Sequence, residues 1–318
     1  MIDALSLVGG LIYLLMGGDL LVRGAAALSH RARVPPIVVG LTVVSFGTSA
    51  PELVVSIQAV FARHPGLALG NVVGSNIANI LLVVGVPAII APLICNQQAI
   101  VRDTIIMIAT SLFFVALCIL GPLGRIDGAL LLAALALYLL YNYKQARVGR
   151  KRPPQPGELD RVLGLPHRRR MIAVFLIIGL LMLPLGANLL IEGATGIATR
   201  FGVAETVIGL TIIAIGTSLP ELATTLAGAF QGQAAVALGN VIGSNVINLV
   251  AIMGVAAALS PEPIAIPAAF LRLDLPVMIA AALALAFFTL RRAQIGRTPG
   301  IVLTGSYVVY LGVLAIAG

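Results

Sequence analysis

The chain has 318 residues, 59% of them hydrophobic and only 10% charged, with a formal net charge of +8. A mean hydropathy of +1.08, with polar residues gathered into short connectors between long apolar runs, excludes a water-soluble globule. The pI near 10.2 is no nucleic-acid footprint: nine of the 20 Lys and Arg lie between Lys144 and Arg170, among Pro153, Pro154, Pro156 and Pro166, as expected of a cytoplasmic loop.

Apolar runs predict an all-α polytopic membrane protein of ten transmembrane helices, starting near residues 4, 36, 67, 100, 126, 171, 205, 235, 269 and 299. The first, Ile2 to Met16, lacks a basic start and a small-residue cleavage site, so it reads as a span and not as a cleaved signal. Turn signals separate the others, among them His30 to Pro36, Arg63 to Gly66 and Asn96 to Asp103. Cys95 and Cys118 have no metal-type spacing and read as buried thiols. His30, His64 and His167 fall in connectors and take no metal role. Tyr138, Tyr141 and Tyr143 end the fifth run as an interfacial anchor.

If the 144–170 loop is cytoplasmic, fifteen basic residues fall on its side and four, Arg63, Arg125, Arg200 and Arg272, on the other. That bias orients the chain with both termini outside. The division is residues 1–143, the basic loop 144–170, and residues 171–318, in a cell membrane.

Sliding the chain along itself lays 36–85 over 205–254 without a gap, with 21 identities in 50 positions. The matches include Thr42/Thr211, Thr48/Thr217, Ser49/Ser218, Glu52/Glu221, Asn71/Asn240, Ser75/Ser244, Asn76/Asn245 and Asn79/Asn248. Five spans per copy is an odd number, so the second copy enters the membrane from the opposite side. This is the inverted-repeat plan of many secondary transporters, whose sites lie near the midplane.

Each copy carries an acid within an apolar segment, in Gly47-Thr48-Ser49-Ala50-Pro51-Glu52-Leu53 and in Gly216-Thr217-Ser218-Leu219-Pro220-Glu221-Leu222. A charge at the bilayer centre costs about 2.5–3.5 kcal/mol on insertion scales, so two in matched settings point to a site. Proline removes a helix hydrogen bond and frees carbonyls, tolerated there only where they line a polar cavity. With the Thr and Ser hydroxyls they make a hard-oxygen set suited to Ca²⁺, Na⁺ or Mg²⁺. The second element, Gly70-Asn71-Val72-Val73-Gly74-Ser75-Asn76-Ile77-Ala78-Asn79 and its counterpart from Gly239 to Asn248, sets residues 71, 75 and 79 on one helical face. Two carboxylates match one divalent or two monovalent cations. Plainer roles compete: Gly70 and Gly74 form a GxxxG packing pattern, Thr42 and Thr211 can bond back to their own helices, and Arg23 and Glu192, at matched positions near Asp19 and Asn188, read as a structural or gating contact.

Paired GTSxPE and GNxxGSN motifs make the chain resemble the sodium/calcium exchangers of the cation/calcium antiporter superfamily. The resemblance implies Ca²⁺ efflux driven by Na⁺ entry, with the second, third, seventh and eighth helices around the ions and the first and sixth sliding past them. It also implies ion ligands at Thr48, Ser49, Glu52, Ser75 and Asn79, and at Thr217, Ser218, Glu221, Ser244 and Asn248, with carbonyls from Ser45 and Ala214. Well-studied exchangers of the group carry Asp where this chain has Asn248, which bears on the number of Na⁺ exchanged per Ca²⁺. The expected partners are Ca²⁺, Na⁺ and the lipid bilayer; no nucleic acid, obligatory protein partner, cofactor or enzymatic activity is expected. A Ca²⁺/H⁺ antiporter and a passive cation channel are the alternatives.

Overall fold

The structure, a computed structural model, describes residues 2–149, 165–166, 168–201 and 214–317. It is nearly all helical. Helix α1 (Ile2–Ala32) leads to α2 (Pro36–Val39), a π-helical turn Gly40–Val44, α3 (Ser45–Thr48), α4 (Ala50–Phe61), α5 (Pro65–Leu81) and α6 (Gly85–Ile90). Strand β1 (Leu93–Ile94), α7 (Gln98–Leu120), α8 (Arg125–Gly149) and α9 (Arg169–Arg200) follow. After them come α10 (Ala214–Gly216), α11 (Leu219–Phe230), α12 (Ala234–Ile247), a π-turn Asn248–Ile252 and α13 (Met253–Leu259). A third π-turn, Phe270–Asp274, then α14 (Leu275–Leu290), β2 (Gln294–Ile295) and α15 (Arg297–Ala317) complete the chain.

Among the described residues eight spans are long and apolar enough to cross a membrane, and the pair Pro36–Thr48 and Ala50–Phe61, bent by 44°, makes up to nine. Nine of the ten predicted starts lie within one helical turn of an observed one, and the start near 205 lies outside the described residues. One boundary differs. Helix α1 runs through His30 to Ala32 before Arg33 turns at φ 55°, so His30 is helical and not in a connector. Pro35 and Pro36, which suit a first helical turn, set the restart.

Burial ranks the helices. Within the most apolar stretch of each, Pro65–Ile90 is 72% and Ala234–Leu259 89% buried, against 22% for Arg125–Arg147, Arg169–Arg200 and Arg297–Ile316. The two central spans carry the repeated GNxxGSN element, and the peripheral ones turn large apolar side chains such as Leu137, Leu181 and Val309 outwards. Lipid would take the place of protein around those faces.

Helices α1 and α9 run antiparallel along a glycine seam. Gly10, Gly17 and Gly24 of α1 and Gly179, Gly186 and Gly193 of α9 each recur every seventh residue. A Cβ on Gly10 would lie 2.5 Å from Leu190 N, one on Gly179 2.8 Å from Leu21 N, and one on Gly193 2.5 Å from Asp3 O. A seven-residue period of small residues is what close packing at a shallow left-handed crossing requires. Arg200 pairs with Asp3 at 2.5 Å across the end of the seam. The pair meets the rest of the protein through a small apolar cluster of its own, in which Leu14, Leu21, Leu183 and Ala187 pack with Val39, Val44, Ala223 and Val236. The main core joins α5, α7, α12 and α14, with Phe114, Ile77 and Met278 at its heart.

Contacts come in reciprocal pairs. A Cβ on Gly128 would meet Gly254 O at 2.8 Å, and one on Gly300 Gly85 O at 2.7 Å. Asn76 Nδ2 lies 3.9 Å from Met278 Sδ, and Asn245 Nδ2 3.7 Å from Met107 Sδ. The turns after α4 and α11 are the same: His64 N donates to Ala59 O at 2.8 Å and Gln233 N to Gly228 O at 2.7 Å, across Arg63 at φ 60° and Gly232 at φ 68°. Strands β1 and β2 pair antiparallel, and Leu123 bridges Ile264. Cys95, beside β1, and Cys118 are free and buried; burial pushes the Cys95 thiol up to about 12.

Candidate ion-binding site

The chain breaks where the two GTSxPE motifs fall. Helix α3 ends at Thr48, Ser49 leaves the helical path at φ −84°, ψ 5°, and α4 restarts with Pro51 in its first turn and Glu52 behind it. The second motif repeats this at Ser218, with φ −87°, ψ 2°, Pro220 and Glu221. Proline has no N–H, so the carbonyls one helical turn back, Gly47 and Gly216, lose their helical donors. The break is therefore local. Ser45 keeps its carbonyl bonded to Ser49 N at 3.0 Å, so the oxygen expected to be freed still holds one helical partner. Ala214 opens α10.

Both carboxylates are buried, Glu52 at 1% and Glu221 at 0% exposure, and they stand close enough to repel each other. Thr48, Ser49, Ser75, Asn79, Ser218, Ser244 and Asn248 are buried as well; Thr217 is half-buried. Ser49 Oγ donates to Glu221 Oε1 at 3.1 Å. Thr48 Oγ1 donates to Asn240 Oδ1 at 3.0 Å. Ser75 Oγ donates to Asn71 O at 2.6 Å, which leaves its lone pairs free to accept or to coordinate.

The site is short of partners. Glu52 Oε2, Glu221 Oε2, Ser218 Oγ, Ser244 Oγ and both side-chain polar atoms of Asn79 and of Asn248 are buried without a hydrogen bond. A buried polar atom left unpaired costs about 1–3 kcal/mol, so this many among the residues of two matched motifs marks a set built to be satisfied by something else. Two carboxylates, amide oxygens and hydroxyls, with no sulfur or imidazole among them, are the donors of a hard cation. Thr48 and Ser49 of the first half thus meet Asn240 and Glu221 of the second, although the halves lie far apart along the chain.

Other predicted features fall elsewhere. Thr42 Oγ1 bonds back to Val38 O at 2.7 Å, the helical alternative foreseen for it, and Thr211 lies outside the described residues. Arg23 pairs with Asp19 at 2.8 Å, and Gln231 Nε2 donates to Asp19 Oδ1 at 2.8 Å, so this contact ties α1 to the end of α11. Sequence reasoning missed the π-turns at Gly40–Val44 and Asn248–Ile252, the second of which starts on Asn248 itself. Such turns often mark functional sites, yet no residue type announces them. It also missed the reciprocal contacts of Asn76 and Asn245, whose only sequence signal is their place in the repeat.

With this geometry in view, comparison with known proteins is direct. The sodium/calcium exchanger protein family matches residues 2–144 and 171–316. Over 311 residues the chain is 37% identical to the inner membrane protein YrbG of Escherichia coli, covering 97% of this chain and 95% of that one. It is 32% identical over 346 residues to the sodium/calcium exchanger MaX1 of Methanosarcina acetivorans, covering 98% of each. The solved sodium/calcium exchanger from Methanococcus jannaschii superposes with a TM-score of 0.83 at 31% identity, over 98% of both chains. The match spans both halves, both glutamate motifs and the helices that bury them: the chain belongs to the sodium/calcium exchanger protein family, a family of membrane cation exchangers and not of enzymes.

Proposed function

We propose that this protein is a Na⁺/Ca²⁺ antiporter working by alternating access at a site between two inverted five-helix halves, residues 1–143 and 171–318. The observation that carries the reading is the meeting of Glu52 and Glu221, from matched motifs, in one buried and under-bonded oxygen cluster. The ligands are Glu52, Glu221, Thr48, Thr217, Ser49, Ser218, Ser75, Ser244, Asn79 and Asn248, with backbone oxygen from Ser45 and Ala214. Two negative charges are neutralised by one Ca²⁺ or by two Na⁺, which is the basis of exchange.

Helix directions support the inversion. The Pro36–Thr48 span runs parallel to α12, since Ile37 lies by Gly239 and Ser45 by Gly243. It runs opposite to α5, with which α4 forms a tight hairpin. Helices α5 and α12, which carry the same motif, therefore point opposite ways. Parity supports ten crossings. Paired β1 and β2 lie on one side of a membrane, so an even number of spans must separate residues 94 and 294. Five long spans intervene among the described residues, and a sixth, ending in the twelve-residue α11, makes the count even. The Leu123–Ile264 bridge supports the same extra crossing. By the distribution of Lys and Arg, the 144–170 segment is cytoplasmic and both termini lie outside a cell membrane.

MaX1 and the Methanococcus jannaschii protein are both sodium/calcium exchangers by name, and structures of the latter concern extracellular ion exchange and binding-site occlusion. Na⁺ is accordingly the counter-ion of choice here. The test is ⁴⁵Ca²⁺ uptake into proteoliposomes under separately imposed Na⁺, K⁺ and H⁺ gradients. Uptake driven by Na⁺ with a protonophore present is expected. Uptake that follows only the proton gradient would make the protein a Ca²⁺/H⁺ antiporter, and currents far above carrier turnover would make it a channel.

A further inference from the structure

The two GNxxGSN asparagines, Asn71 and Asn240, occupy matched positions but hold different partners. Asn71 stays within its own half: its Nδ2 donates to Glu52 O at 3.1 Å and to Ser56 Oγ at 3.0 Å. Asn240 reaches across to the other half, where its Oδ1 accepts from Thr48 Oγ1 at 3.0 Å. What Asn240 has left undone is visible. Its Nδ2 is buried with no partner, and so is Thr225 Oγ1, the hydroxyl that takes the place of Ser56 in the second copy of the repeat. The α11–α12 hairpin repeats the α4–α5 hairpin down to its turn, so Thr225 and the Glu221 carbonyl stand to Asn240 as Ser56 and the Glu52 carbonyl stand to Asn71. The crossing bonds are one-sided as well: Thr48 and Ser49 bond to Asn240 and Glu221, whereas Ser218 Oγ makes no return bond.

We propose that Asn71 and Asn240 are positioning residues that exchange partners between the two access states. In the exchanged state Asn240 lets go of Thr48 and donates to Glu221 O and Thr225 Oγ1. Asn71 lets go of Glu52 O and Ser56 and accepts from Thr217 Oγ1, and Ser218 donates to Glu52. Asn240 Nδ2, Thr225 Oγ1 and Ser218 Oγ, orphaned here, gain in the other state the bonds their counterparts hold in this one, so the two states are close in energy, as a reversible carrier requires. The exchange also controls ligand geometry. A Thr48 hydroxyl whose proton is held by Asn240 has its lone pairs directed at the site, and release of that proton frees the oxygen to turn away. The number of hydrogen bonds is conserved while their distribution between the halves is reversed. This inference rests on the antiporter reading above and specifies which side chains move within it.

Ser56 and Thr225 lie outside the ligand set and each supports one state, which makes them the test. Ser56→Ala weakens the state seen here and Thr225→Val the exchanged one. The readout is the Ca²⁺ activation constant of exchange measured from each face, in right-side-out and inside-out vesicles. The ratio of the two constants should move in opposite directions in the two variants, by about two- to tenfold for one hydrogen bond each. The Ser56→Ala/Thr225→Val double variant should return towards the wild-type ratio, and Thr225→Ser, which keeps the hydroxyl, should match wild type. Wild-type vesicles without Na⁺-driven Ca²⁺ exchange would overturn the antiporter reading and this inference with it. Wild-type exchange combined with shifts in the same direction, or with no shift, would overturn the partner exchange alone.

Discussion

Helices α4 and α11 begin with the same Pro-Glu-Leu after the same Gly-Thr-Ser, yet their serines do different things. Ser49 donates to the glutamate of the other half, and Ser218 is buried with nothing to bond. The same Gly-Thr-Ser in matched backbone holds two hydrogen-bonding arrangements. What differs is which half has reached across. On the partner exchange proposed above, the repeated motif describes a pair of alternatives, and this structure displays one of each.

The largest expected effect comes from treating the two halves as equal where charge is concerned. Glu52→Gln and Glu221→Gln should each abolish Na⁺-driven Ca²⁺ flux in proteoliposomes. Loss of one member of a buried ionic site costs about 3–5 kcal/mol, or more than about 100-fold in affinity. Undiminished flux in either variant would break the shared site. Next in size is the glycine seam, which has no counterpart in the hairpins. Gly10→Leu would drive side-chain atoms into the α9 backbone, where a Cβ alone already comes within 2.5 Å of Leu190 N. About 1–3 kcal/mol should be lost by overpacking, read as a lower melting temperature in detergent. Gly9→Ala, with nothing within 4 Å among the described residues, should leave it unchanged.

A third test acts on Asn79 and Asn248, which match each other as amides. Asn248→Asp adds a third carboxylate, and Ca²⁺ binding should tighten by about tenfold, since affinity at oxygen sites follows ligand charge; titration calorimetry would read it. The serines give the finest contrast. In ion-free protein Ser49→Ala should cost about 1 kcal/mol by losing its bond to Glu221, whereas Ser218→Ala should cost nothing and relieve an orphan. Equal losses in thermal unfolding would erase the asymmetry. Smallest of all, Arg63→Gly puts glycine where the other half has Gly232 and should stabilise by up to about 1 kcal/mol, because φ 60° is strained for arginine.

Much of the site was legible because the repeat around it is ungapped. One constant offset carries Thr48, Ser49, Glu52, Ser75 and Asn79 onto their counterparts, and the acids announced themselves by their cost in an apolar segment. Helices beyond the motifs escaped the same comparison. At that offset Met107 would fall on Pro276 and Gly128 on Arg297. The structure instead pairs Met107 with Met278, which meet Asn245 and Asn76 in turn, and Gly128 with Gly300, which meet Gly254 and Gly85. Short insertions in the connectors shift the register there, so a rigid slide of the chain dissolves the match. The glycine seam did keep the motifs' offset, but its spacing of seven shows its meaning only once α1 and α9 are known to touch.

By itself the sequence determined the described helices, their near-boundaries, the pairing of the motifs and the oxygen chemistry they offer. Periodicity, proline and the cost of charge in an apolar run are local properties and can be read locally. Only the tertiary structure decided that α1 and α9 form one antiparallel pair with its own small apolar cluster, that π-turns fall at Gly40–Val44 and Asn248–Ile252, and that Asn240 crosses to Thr48 while Asn71 stays at home. Those outcomes depend on which surfaces meet, and two halves with the same residues can differ only through what they touch.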